Sequence, residues 1–255
     1  MSYSAKVVDY KGKDVIELVA GKYRAVIAPF LGSNVMRMQD TDNEIEIFRY
    51  DEALSIEQLK SSAEVYGLPT LYLPNRLAGG VLKVSDATYN FPLNDPLGNH
   101  IHGFLHKREH SIVSAEVKGS VAIAKTQYIY DDKDEFFSTY PVSFMAEYTF
   151  TLSDERLFYE FTMTNTSDKQ LPYGVCNHTA INGPFTKDGD GLDMRLYVPV
   201  GDKWELSKSC IPTGGFLRMT DHDKQYLTGS QIPVLHDIDN DVFFADIWPS
   251  TEEVN

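Results

Sequence analysis

Residues 144–163 read FMAEYTFTLSDERLFYEFTM. Phe144, Ala146, Tyr148, Phe150 and Leu152 share one parity, Ser153-Asp154-Glu155-Arg156 supplies a turn, and Leu157, Tyr159, Phe161 and Met163 resume the alternation. Period two on both sides of a turn predicts a long antiparallel hairpin with one face on a core. Upstream, Val113, Ala115 and Val117 alternate, and Val121, Ile123, Lys125, Gln127 and Ile129 interleave with Ala122, Ala124, Thr126, Tyr128 and Tyr130. Nearer the N-terminus, residues 15–20 and 23–28 are apolar or β-branched around Gly21-Lys22, which suits a two-residue hairpin turn, and residues 34–38 resume after a break at 29–33. One helix is expected, because Ser55 with Gln58 three residues on makes a capping box ahead of Leu59 and Ala63, with Gly67-Leu68-Pro69 as its stop. The fold class is all-β with one short helix.

The 255 residues carry no internal repeat and no linker rich enough to divide them, so a single domain spanning 1–255 is expected. A net charge of −14 with no basic, aromatic-interleaved run argues against nucleic acid and anionic membrane surfaces. Two cysteines, Cys176 and Cys210, without CxxC spacing argue against a disulfide framework or a zinc site. The N-terminus has no signal-peptide pattern and no apolar run reaches the ~18–20 residues of a membrane span, so the expected location is cytoplasmic. GxSxG, P-loop and GxGxxG patterns are absent.

Chemistry-bearing residues fall in three irregular stretches. Residues 66–80 hold Pro69, Pro74, Asn75, Arg76 and the Gly79-Gly80 pair and read as a loop across a sheet end, and residues 94–103 read as a second loop with His100 and His102. Residues 171–185, LPYGVCNHTAINGPF, place His178 between Asn177 and Thr179. A titratable side chain at a strand end can be aimed from a rigid sheet into a cavity, and the three stretches read as one site. His100, His106 and His110 are expected at solvated loop positions, and residues 131–135 as a charged loop tip. Asp188, Asp190 and Asp193 resemble a calcium loop but lack its glycine placement and closing glutamate, so no metal is expected. Trp204 is the aromatic proposed against a sugar face, residues 192–198 are expected as a strand, residues 211–215 as a turn, and residues 240–248 as a last apolar run.

At these residues the sequence resembles the aldose 1-epimerase (galactose mutarotase-like) family. AVIAPFLGSNVMRM is similar to the family's early strand pair, YGLPTLYLPNRLAGG to its Asn-Arg substrate loop, NHIHGF to its His-Gly motif, and the central hairpin with NHTAING to its second histidine; IPTGG resembles a later turn. The resemblance implies a large antiparallel β-sandwich with a sugar cleft, and interconversion of the α and β anomers of a free aldose without a cofactor. By the same resemblance, His178 is the general acid and His102 the histidine near the ring oxygen. Arg76 grips sugar hydroxyls with Asn75 in support, and Asp239, with Asp241 as second choice, is the substrate aspartate. The family's general base is a glutamate in a C-terminal strand. Here only Glu252 and Glu253 remain, without its context, so the chain is expected to lack the family's C-terminal strands. A hexose-6-phosphate 1-epimerase, drawing on the basic pair Lys107-Arg108, and a non-catalytic sugar binder are the alternatives; the oligomeric expectation is monomer or homodimer.

Overall fold

A computed structural model describes residues 2–190, 194–195 and 201–224. The first sheet is a meander of β1 (Tyr3–Tyr10), β2 (Lys13–Ala20), β3 (Tyr23–Ala28), β4 (Asn34–Asp40) and β5 (Ile45–Glu46), each antiparallel to the next. Ala20 pairs with Tyr23 across Gly21-Lys22, with Gly21 at φ +60, as a two-residue hairpin loop demands. β1 is the strand that periodicity missed; it is an edge strand whose residues are half-buried or exposed, so no alternation marks it.

Helix α1 (Ile56–Ser61) starts where the capping box requires. Gln58 N–H donates to Ser55 Oγ at 3.2 Å and Ser55 N–H to Gln58 Oε1 at 2.9 Å. A short 3₁₀ turn, Ala63–Val65, follows. Leu59 and Ala63 pack with Val15, Val26, Ala28, Phe30, Leu31 and Met36, so this segment belongs to the buried cluster on one face of the first sheet. That explains why β2 and β3 are apolar on both parities rather than alternating.

Four short strands follow: β6 (Thr70–Leu71), β7 (Arg76–Ala78), β8 (Val81–Lys83) and β9 (Thr88–Asn90), with β8 and β9 paired. β10 (Asn99–Ile101) then pairs antiparallel with β7. Residues 66–80 and 94–103 are therefore not simply loops; their ladders are two or three residues long, too short to carry a period.

The second sheet is the predicted one: β11 (Ser111–Lys118), β12 (Val121–Tyr130), β13 (Phe144–Leu152) and β14 (Leu157–Asn165), in that order. Phe144 faces Asn165 and Leu152 faces Leu157, so the hairpin closes at the Ser153–Arg156 turn. Ala122, Ala124, Tyr130, Phe144, Ala146, Tyr148, Phe150 and Leu152 bury into one core with Ile16, Leu18, Ala20, Ala25 and Ile27 of the first sheet, which makes the fold an all-β sandwich. Each fully buried large apolar side chain contributes roughly 1.5–3 kcal/mol. Residues 131–135 are more than a charged tip: Arg108 donates to Asp134 through Nε at 2.7 Å and Nη2 at 2.9 Å, and Tyr128 OH donates to the same carboxylate.

β15 (Cys176–Asn177) pairs with β6. Contacts group the chain into two compact units, Met1–Asp95 with Asn99–Asn182, and Pro96–Gly98 with Gly183–Asn255. The sandwich lies in the first. In the second, β16 (Lys203–Leu206) and β17 (Pro212–Leu217) form a bulged hairpin. The expected turn at 211–215 is thus mostly strand, because Ile211 N–H and Ser207 N–H close the loop one step earlier, through Ser207 Oγ and the Ile211 carbonyl. The expected strand at 192–198 and the run at 240–248 fall largely or wholly outside the described residues. No helix among the described residues is long and apolar enough to cross a membrane.

Candidate functional site

Residues 67–78 are the backbone hub of the site, gripped on both sides by the histidine-bearing segments. On one side, Cys176 pairs with Leu71 and Asn177 with Thr70, then His178 N–H donates to the Pro69 carbonyl at 2.9 Å and Ala180 N–H to the Gly67 carbonyl at 2.9 Å. The far edge of that strip is tied to residues 46–49. Arg49 N–H donates to Ala180, Asn182 N–H to Ile47, and the Asn182 side-chain amide to the carbonyls of Glu46 at 3.0 Å and Phe48 at 2.7 Å.

On the other side, Ile101 pairs with Arg76, His102 N–H donates to the Asn75 carbonyl at 2.9 Å, and Phe104 N–H donates to Tyr72. Gly103 is required here: at φ +60, a Cβ would sit 2.0 Å from the Tyr72 carbonyl oxygen. His102 and Asn75 also hold left-handed backbone, at φ +66 and +54. For a histidine that conformation costs on the order of 1 kcal/mol or more, and such strain collects where a side chain must be aimed.

The two grips bring His102 and His178 together. Their ring centroids are 5.1 Å apart and their planes meet at 65°, so the imidazoles touch edge to face. They sit side by side in direct ring contact. His178 Nδ1 lies 2.7 Å from the Glu64 carbonyl oxygen. A carbonyl can only accept, so Nδ1 carries the proton and Nε2 is the nitrogen that can gain or release one. Burial, followed by the nearby rings of His178 and His106, pushes the His102 imidazole down to about 4. At neutral pH His102 is therefore an uncharged hydrogen-bonding group.

Arg76 is aimed by a buried partner. Its Nε donates to Asp95 Oδ2 at 2.8 Å, with the two side chains 11% and 4% exposed, and Asp95 also accepts from Asn99 Nδ2 at 3.0 Å. Asp95 and Glu64 were not singled out in the sequence. Nothing marked them, because one acts through a partner nineteen positions away and the other through its main chain. Asp239 and Asp241 lie outside the described residues, as do Glu252 and Glu253.

Three histidines expected in solvent are buried. His100 is 2% exposed, its Nδ1 held by the Pro92 carbonyl at 2.8 Å and its ring against Phe91 and Phe136. His110 is 4% exposed, bonded to Ser33 Oγ at 2.8 Å and set against Tyr128 and Tyr148. His106 is 1% exposed and faces Glu64. Trp204 packs on Phe216 in the β16–β17 hairpin, at 4.3 Å between centroids. Arg108, which a phosphate would call on, is committed to Asp134 and to Glu135 at 3.0 Å.

The profile of the Aldose 1-epimerase family matches residues 14–246. The chain belongs to the aldose 1-epimerase family. Among solved structures it is similar to a galactose mutarotase-like protein from Clostridium acetobutylicum, at 28% identity and TM-score 0.86, over 89% of this chain and 68% of that one. It shares its fold with the galactose 1-epimerase of Lactobacillus acidophilus NCFM, at 18% identity and TM-score 0.68, over 86% of this chain and 64% of that one. The same holds for an aldose epimerase homologue from C. elegans, at 17% identity and TM-score 0.61, over 86% and 68%.

Proposed function

We propose that this site interconverts the α and β anomers of a free hexose by acid–base opening and reclosure of the ring, with no cofactor. In the forward half-reaction a base removes the anomeric hydroxyl proton and those electrons form the C1=O bond. The C1–O5 bond breaks, and O5 takes its electron pair together with a proton from Nε2 of the His178 imidazolium, which is left as the neutral Nδ1–H tautomer. Rotation about C1–C2 exposes the other aldehyde face, and the same steps run in reverse close the ring. His102, neutral and fixed by its left-handed backbone, hydrogen-bonds beside the ring oxygen. Arg76, aimed by Asp95 and flanked by Asn75, holds sugar hydroxyls.

The observation that carries this reading is the proton inventory at the histidine pair: one ring tied through Nδ1 to a main-chain carbonyl, with Nε2 left to exchange a proton, against a second ring held uncharged. Imidazole, with a reference pKa of ~6.5, suits a group that must give and retrieve a proton near neutrality. Saturation-transfer NMR on the anomeric protons of galactose and glucose at equilibrium tests it. Accelerated exchange between the α and β signals is expected. Sugar binding with no change in exchange would identify a binding protein of the same fold.

A further inference from the structure

His106 is 1% exposed, and neither of its ring nitrogens has a hydrogen-bond partner among the described residues. An imidazole buried in this way loses its hydration without compensation. Its Nε2 lies 3.8 Å from Glu64 Oε2, longer than a hydrogen bond, and that carboxylate oxygen is likewise buried and unpartnered. Two orphaned groups, a donor and an acceptor, thus face each other just out of reach.

Both are held by the framework. Ala63, beside Glu64, is fully buried on the first sheet. His106 lies in the turn Leu105–Lys107, whose backbone packs so closely on Gly32 that a Cβ there would fall 2.5 Å from the His106 Cα. Glu64 is also the residue whose carbonyl accepts from His178 Nδ1. One residue therefore carries the His106 contact on its side chain and the His178 tautomer on its main chain.

We propose that His106 is a positioning residue for His178, acting through Glu64. A neutral His106 ring presents its Nε2–H dipole to the Glu64 carboxylate across 3.8 Å, and that electrostatic attraction orients residue 64 and so keeps its carbonyl on His178 Nδ1 and Nε2 facing the sugar. The proposal rests on the functional reading for its kinetic consequence, but its structural content is independent of any activity.

The variants are His106→Phe, which fills the volume without a donor, His106→Gln, whose amide nitrogen restores one near the Nε2 position, and Glu64→Ala. Two readouts are used on the folded full chain: the His178 tautomer from two-bond ¹⁵N–¹H couplings of histidine-labelled protein, and anomerisation kinetics. In wild type and His106→Gln, His178 is expected as the Nδ1–H tautomer. In His106→Phe and Glu64→Ala it is expected as a mixture, with kcat down about tenfold, KM within about twofold, and the double variant no worse than either single. Nδ1–H retained in both His106→Phe and Glu64→Ala, or additive losses in the double variant, would overturn the proposal. If His106→Phe fails to fold, Glu64→Ala against wild type decides the tautomer question alone. Should wild type show no anomerase activity, the functional reading fails while the tautomer measurement still decides this one.

Discussion

His178 commits Nδ1 to the Glu64 carbonyl, and in the proposed mechanism Nε2 exchanges the proton; the residue-scale predictions follow from that division. His178→Ala should lower kcat about 10²–10⁴-fold, the usual worth of a general acid. The loss of one hydrogen bond should cost only ~1 kcal/mol of stability, so circular dichroism and the denaturation midpoint should stay close to wild type. Arg76→Ala should raise KM more than it lowers kcat, as for a group that binds ground and transition states alike. Asp95→Ala removes the buried carboxylate that aims Arg76 and should add a stability loss of about 3 kcal/mol, read from urea unfolding. At this scale the sequence exposed residues that advertise themselves by neighbours: His178 in NHT, His102 before Gly103, Arg76 after Asn75. It hid Glu64, because its contribution is a carbonyl that every residue owns. It misplaced His100, because the rings that bury it come from positions 91 and 136.

The strip from Cys176 to Asn182 is what delivers His178, and it is stitched on both edges by main-chain bonds to residues 67–71 and 47–49. Asn182 clamps its end with two side-chain hydrogen bonds. Asn182→Ala should therefore cost about 2 kcal/mol by urea unfolding and speed hydrogen exchange at the amides of His178 and Ala180 selectively; unchanged protection at those two amides would place the clamp elsewhere. Elements long enough to show a period were readable in advance: the β13–β14 hairpin, its pairing with β12, and α1 through its capping box. Elements of two or three residues, such as β6, β7 and β10, were not. Their pairing comes from the fold that brings residues 67–78 between two partners, and local sequence carries no trace of that. The Pro212–Leu217 strand does not show in the sequence because its Pro-Thr-Gly-Gly run has the composition of a turn.

For the molecule as a whole, buried neutral histidines set an acid limit. The unfolded chain binds these protons near pH ~6.5. The folded chain takes them up only near 4 at His102 and, because burial depresses it furthest, near 3 at His110. Between those values the unfolded state holds more protons, so stability is fully present above about pH 6.5 and falls as pH drops. Urea midpoints should decline steadily from pH 7 to pH 4, and a flat profile would contradict the burial of these rings. Fold and family were legible together, since the sandwich pattern and the order of the short motifs run along most of residues 14–246. The central proposal is that the His102–His178 pair opens a hexose ring, and polarimetry on freshly dissolved α-D-galactose and α-D-glucose tests it most directly. The account predicts that wild-type protein hastens the decay of optical rotation to its equilibrium value and that His178→Ala returns it to the spontaneous rate. A wild-type trace that overlays the protein-free one, or a His178→Ala trace that overlays wild type, would contradict it.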